Sequence, residues 1–261
     1  MRSILGVAVA ALSAATLIAG CASSQTDTAA SSTSTGATGG ITVFAAASLK
    51  STFTELGERF EKDNGGTHVE FSFAGSSDLV TQLTQGAPAD VFASADQKNM
   101  TKATDAGIVA GQPVDFATNT LTIVTPPGNP KGIKSFADLA KPGTQVVVCA
   151  PQVPCGSATE KVEKATGVTL APVSEESAVT DVLGKITSGQ ADAGLVYVTD
   201  AAGAGDKVTS VPFPESSGAV NTYPIAVLKD SKNTATAQKF VDLVTGPEGQ
   251  KVLGAAGFAA P

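Results

Sequence analysis

Four short stretches of this 261-residue sequence set small or hydroxyl-bearing residues directly before a helical apolar pattern. They are Ala47-Ser48 before Leu49, Gly75-Ser76-Ser77 before Asp78, Pro154-Cys155-Gly156-Ser157 before Ala158, and Ser177-Ala178-Val179 before Thr180. A helix start carries unpaired backbone N–H groups and the positive end of the helix dipole, and a small side chain lets an anion approach them closely. Serine also has an ordinary use there, because its oxygen caps an amide of the first turn and stabilises the helix by about 1 kcal/mol. Spacing along the chain does not decide between the two uses, since it says nothing of whether the four stretches converge. Groups for covalent chemistry are scarce. His68 is the single histidine, expected as a solvated strand-end residue in GGTHVEF. There is no Gly-x-Ser-x-Gly elbow, no phosphate-cradling Gly-x-x-x-x-Gly-Lys loop and no Gly-x-Gly-x-x-Gly turn. An enzyme is therefore not expected, a hydrolase being the main competing class. With Tyr197 and Tyr223 as its only phenols the chain also makes a poor ferric-ion receptor.

The elements that would carry these junctions alternate along the chain. ITVFAAA leads into a helix with Leu49, Phe53, Leu56 and Phe60 on one face. HVEFSFAGSS is a strand ending in small residues, followed by a short helix marked by Leu79 and Leu83. ADVFASAD, TLTIVTPPG and TQVVVCAP read as further strands, and GSATEKVEKATG as a helix stopped at Gly167. Val179, Val182, Leu183 and Ile186 form another apolar stripe before the buried-strand pattern AGLVYVTDA. YPIAVLK is the last clear strand, and helices broken at Gly246-Pro247 follow. Repeated strand-then-helix units predict parallel sheets covered by helices, with ligands gathering at the carboxyl ends of the strands.

The first twenty residues have the layout of a secretory signal peptide: Met1-Arg2, then an apolar stretch, then small residues. An uncleaved anchor helix is the alternative, but the apolar run is short for a membrane span. Ile18-Ala19-Gly20-Cys21 resembles a bacterial lipobox, in which Cys21 is lipidated and becomes the mature N-terminus. Residues 21–40 are then a Ser/Thr/Ala/Gly tether, too polar and small to order itself and spanning roughly 24 Å as a flexible coil. Localisation follows: exported, and held to the outer side of the cell membrane. The formal net charge of −7 argues against nucleic acid as a partner. Cys149 and Cys155, left over in an exported chain, pair most simply as a disulfide, with a two-thiol zinc site the poorer alternative.

The segments ITVFAAASL, FSFAGSSDLVTQLTQGAPADVFASAD, VPCG, GLVYVTDA and YPIAV follow one another in this order. Together they resemble the molybdate-binding proteins of bacterial ABC importers, over essentially all of residues 41–261. The resemblance implies an α/β protein with the type II periplasmic-binding-protein fold: two α/β lobes joined by two crossover segments, with a ligand cleft between them. Lobe 1 would hold residues 41–118 plus 226–261, and lobe 2 residues 119–225. It further implies a monomer without cofactor that captures molybdate or tungstate and delivers it to the membrane permease of an ABC transporter. A receptor of the same fold for sulfate or another tetrahedral oxyanion is the nearest competitor. Molybdenum would enter only inside its oxyanion. The ligand contacts carried over are the hydroxyl and backbone donors of Ser48 and Ser76, the backbone N–H groups of Cys155 and Val179, and the phenol of Tyr197.

A shell made of donors alone suits an anion with no proton and rejects hydrogenphosphate, whose O–H it leaves unpaired. Sulfate passes the same test, so its rejection would fall to size, with Ala46, Ala47 and Gly75 leaving room for the larger ion. Asp78 and Glu175-Glu176 lie near the anion-binding turns and are expected on outer helix faces.

Overall fold

The structure is a computed structural model, and it describes residues 39–261. The expected signal peptide, Cys21 and nearly all of the tether lie outside the described residues. From Ile41 the chain builds β1 (Ile41–Ala46), α1 (Lys50–Asp63), β2 (Val69–Ala74), α2 (Ser76–Thr84), β3 (Val91–Ala93), α3 (Gln97–Asp105) and β4 (Val114–Asn119). One residue later β5 (Leu121–Thr125) opens a second series: β6 (Val146–Cys149), α4 (Pro154–Thr166), β7 (Ser174–Glu176), α5 (Val179–Thr187), β8 (Ala193–Tyr197), α6 (Val198–Ala204) and β9 (Thr209–Val211). The chain then returns through β10 (Asn221–Val227) and ends in α7 (Thr234–Thr245) and α8 (Pro247–Ala255).

These strands form two five-stranded sheets, ordered β2-β1-β3-β10-β4 and β7-β6-β8-β5-β9. The arrangement is the two-lobe type II periplasmic-binding-protein fold. The sheets are mixed, against the expectation of purely parallel ones. In the first, β1 runs parallel to β2 and β3, while β10 is antiparallel to β3 and β4. In the second, β6 runs parallel to β7 and β8, while β5 is antiparallel to β8 and β9. The cause is connectivity. β5 and β10 fill the same fourth place in their sheets, and each arrives directly from the other lobe with no covering helix to turn it round. β10 pairs wholly within the first sheet, whereas the sequence-based division cuts it after residue 225.

Each sheet has its own core. Residues between Leu121 and Ala219 form one apolar cluster around the second sheet. Two further clusters cover the faces of the first, drawing on the N-terminal strands and the C-terminal helices. The stripe expected on α1 is buried as predicted: Phe53 packs its ring 5.8 Å from Phe116 and 5.9 Å from Phe240, and Phe60 lies 5.5 Å from Phe240. The two cores meet where the Tyr197 ring packs edge-on against Tyr223 at 6.0 Å, and small residues such as Ala46, Ala47 and Gly75 line the cavity beside that contact.

The turn that starts α4 is held from two sides. Cys149 at the end of β6 is disulfide-bonded to Cys155 in the first turn of α4, with their Cα atoms 5.6 Å apart. Between them Val153 N–H donates to Ala150 O at 2.9 Å. Gly156 follows, and a Cβ there would lie 2.0 Å from Ala150 O and 2.6 Å from Cys149 O, both backbone atoms that cannot swing aside. Helix and strand therefore approach as closely as a glycine permits. Gly156→Ala is expected to destabilise the protein by about 1–3 kcal/mol through overpacking, read as a lowered thermal midpoint. An unchanged midpoint would mean that the turn relaxes freely.

Candidate functional site

Four helical segments begin at the cleft between the sheets: the 3-10 turn Ala47–Leu49 that precedes α1, and α2, α4 and α5. The last three start one to four residues before the positions expected from sequence. At each of the four the residue in the N-cap position is Ala46, Gly75, Val153 or Ala178, and none makes a side-chain cap. None of these side chains has an oxygen to offer. At the start of α3, by contrast, Asp96 accepts the Asn99 N–H, although α7 and α8 also begin without a side-chain cap. The serines at the cleft are therefore not caps. Of the first turns, Asp78 and Leu79 reach back to Gly75 O, Ser157 to Val153 O, and Asp181 to Ala178 O. The N–H groups of Ser76, Cys155 and Val179 come before those first donors, and helix geometry aims them out of the helix end.

Ser48, Ser76, Cys155, Val179 and Tyr197 line a single small cavity of about 10 Å³, together with Ala46, Ala47, Gly75 and Ala95. Pockets for organic ligands run to about 300–1,000 Å³, so this space is far too small for one. No lining residue is charged. The carboxylates that lay near these junctions in sequence face elsewhere: Glu175 is exposed, and Glu176 is tied to Lys185 at 2.6 Å. Asp78, partly buried, is not part of the lining. Two neighbouring grooves carry the nearby cations, Lys50 and Lys207 beside Ser48 and Lys98 and Lys161 beside Pro154.

The three hydroxyls of the lining differ in setting. Ser76 is 1 % exposed, and its Oγ accepts the Ala95 N–H at 3.0 Å. Ser48 Oγ lies 3.1 Å from the Tyr223 hydroxyl. The Tyr197 oxygen accepts from Asn221 Nδ2 at 3.0 Å. Burial, followed by the nearby Tyr223 and acidic groups, pushes the Tyr197 phenol well above its ordinary range, so it keeps its proton. Burial likewise lifts the Asp200 carboxyl to about 7, even though its Oδ2 accepts the Tyr197 N–H at 3.0 Å.

Gly75 serves a purpose that its smallness alone did not reveal. A Cβ there would sit 2.0 Å from Ser177 O, across the cleft in the other lobe. Its missing side chain therefore admits the opposite lobe, in addition to leaving room in the cavity. Asn221 and Tyr223, which stand behind the hydroxyls, were also invisible as site residues. The only trace was a polar and an aromatic residue two apart on a strand, a pattern that any half-buried strand can show.

A family model described as bacterial extracellular solute-binding protein matches residues 41–259. The molybdate-binding protein ModA of Mycobacterium tuberculosis is 60% identical over 221 residues, covering 85% of this chain and 85% of that protein. The molybdate-binding protein ModA of Escherichia coli is 34% identical over 236 residues, covering 84% of this chain and 89% of the relative. Among solved structures, the periplasmic molybdate-binding protein of Azotobacter vinelandii superposes with a TM-score of 0.74 at 25% identity, covering 85% of this chain and 99% of the other. The chain belongs to the bacterial extracellular solute-binding protein family that these relatives share.

Proposed function

We propose that this protein captures molybdate, and tungstate with it, outside the cytoplasm and passes it to the membrane permease of an ABC transporter. The observation that carries the reading is the uncapped, uncharged cavity, where helix starts from both lobes and three hydroxyls surround one small space. In this role Ser48 and Ser76 supply hydroxyl and amide donors, Cys155 and Val179 supply amides, and Tyr197 supplies its phenol proton. Each hydrogen bond to a charged group is worth about 1.5–3 kcal/mol, so roughly seven of them, less ordering and closure costs, support micromolar or tighter affinity. No lining cation contacts the ion, and release breaks no buried ion pair. The protein acts as a monomeric carrier without cofactor or catalysis. Residues 1–20 export it, and lipid on Cys21 holds it to the membrane through the tether of residues 21–40.

Calorimetric titration of the purified protein with molybdate, tungstate, sulfate and phosphate at pH 7.5 tests the reading. Tight one-to-one binding of the first two, with sulfate at least about a hundredfold weaker, is expected, a gap of roughly 2.7 kcal/mol. Sulfate binding as tight as molybdate would reassign the protein to sulfate. Ser48→Ala and Ser76→Ala should each weaken the oxyanion about tenfold or more, and each should also cost about 1–3 kcal/mol of stability by leaving the buried Tyr223 hydroxyl or the Ala95 N–H without its partner.

Gly75→Ala should impair closure rather than folding. Its added methyl meets Ser177 O. The expected result is weaker molybdate binding and less compaction on ligand addition by small-angle scattering, at an unchanged ligand-free melting point; full compaction in the variant would refute the interlock.

Asp200 gives stability a pH dependence. Its folded value of about 7 lies above the ordinary aspartate range of about 4, so the folded state holds a proton that the unfolded state has lost. This contribution lowers stability as pH rises between those values. Asp200→Asn should reduce the difference between melting points measured at pH 4.5 and 7.5, and an identical difference would count against the assignment.

A further inference from the structure

Behind each hydroxyl of the cavity stands a hydrogen-bond donor. At Ser76 the donor is the Ala95 N–H, 3.0 Å from Oγ, and a backbone N–H can only donate. The Ser76 lone pair is thereby engaged from the protein side, which frees its proton for the cavity.

At Tyr197 the donor is Asn221 Nδ2, at 3.0 Å. An amide side chain can in general be turned round, presenting its oxygen instead of its nitrogen. Here it cannot without loss. The same Nδ2 lies 2.8 Å from Ala95 O and 3.4 Å from Pro154 O, two carbonyls that only a donor can satisfy. Asn221 is 4 % exposed, so bulk solvent does not reach it to repair a reversed amide. Its NH2 end is thus fixed toward Tyr197, and the phenol proton is free to point at the ligand.

At Ser48 the neighbour is the Tyr223 hydroxyl, at 3.1 Å, and either oxygen could donate. Tyr223 is 0 % exposed, and its phenol needs an acceptor, because a buried donor left unpaired costs about 1–3 kcal/mol. Ser48 is only partly buried and has the cavity as a second outlet for its own proton. The Asn119 amide and the Tyr197 hydroxyl also neighbour the Tyr223 oxygen, and the arrangement that leaves both cavity hydroxyls donating outward has Tyr223 donating to Ser48 and Ser48 donating into the cavity.

Asn221 and Tyr223 lie two apart on β10, and therefore on one face of it. That strand belongs to the sheet of the first lobe, whereas Tyr197 ends a strand of the second. We propose that Asn221 and Tyr223 are positioning residues that fix the hydrogen-bond polarity of Tyr197 and Ser48, so that the cavity offers protons only and excludes oxyanions that carry one. The inference deepens the oxyanion reading and rests on it. It assigns rejection of hydrogenphosphate to β10 rather than to the residues that touch the ion.

The test compares molybdate and hydrogenphosphate affinities at pH 8, by calorimetry with phosphate measured in competition against molybdate, alongside melting points. Tyr223→Phe keeps the ring and removes the donor to Ser48, whose oxygen then becomes an acceptor for a ligand proton. Its molybdate-to-phosphate selectivity is expected to fall at least tenfold, a change that lost packing would not produce. Asn221→Asp replaces the donor by a carboxylate that draws the Tyr197 proton away from the cavity. Molybdate binding is expected to weaken a hundredfold or more, and this variant carries the test should Tyr223→Phe not fold. Wild-type selectivity in a folded Tyr223→Phe, or wild-type molybdate affinity in a folded Asn221→Asp, would overturn the inference while leaving the oxyanion reading intact. A wild-type protein that binds no tetrahedral oxyanion would overturn both.

Discussion

Backbone N–H groups left without acceptors at the starts of helices are the constraint around which the molecule is arranged. A buried amide with no partner is costly, and most helices avoid the cost with a side-chain cap. Here the cap positions at the cleft are filled by Ala46, Gly75, Val153 and Ala178, which have no oxygen to give. The cost is deferred until an anion enters. Two of these starts, with Gly75 and Ala46 at their caps, belong to the first lobe, and the other two to the second. Bringing the lobes together and satisfying the amides are therefore one event.

The supporting structure keeps the donors where an ion can use them. At the start of α4, the disulfide between Cys149 and Cys155 and the close approach permitted by Gly156 confine the turn that presents the Cys155 amide. At the start of α2, Gly75 lets Ser177 O come near without a methyl group in the way. Behind the hydroxyls, the Ala95 N–H and Asn221 Nδ2 donate to Ser76 and Tyr197, and the Tyr223 hydroxyl lies 3.1 Å from Ser48. The absence of charge from the cavity lining is consistent with this design, because neutral dipoles held rigidly can stabilise a dianion without the tight ion pair that would slow its release. The lysines of the neighbouring grooves supply positive potential close to the site in a protein that is acidic overall.

Much of this was readable in the amino-acid order. The 3.6-residue stripe of Leu49, Phe53, Leu56 and Phe60 and the apolar runs of the strands announce α1 and most of the sheet strands, because burial of one face imposes those periods. Small residues at strand-to-helix junctions pointed to anion binding, since helix ends have the same electrostatics in any fold. Which residue at each junction would meet an anion came from the family resemblance, because spacing alone left capping and anion binding as alternatives. The disulfide partners were legible because an exported chain with one spare pair leaves few choices.

What tertiary structure alone decided is of another kind. The antiparallel placement of β5 and β10 follows from crossovers between lobes, and no local period encodes a crossover. Convergence of the helix starts on one cavity brings together residues as distant as Ser48 and Tyr197. The second use of Gly75 depends on Ser177, and the orientation of the Asn221 amide depends on Ala95 O and Pro154 O. Short-range propensity and pattern reside in neighbouring residues and survive in the sequence. Distances across a cleft, and the direction of a hydrogen bond inside it, exist only once the chain has folded both lobes around the same space.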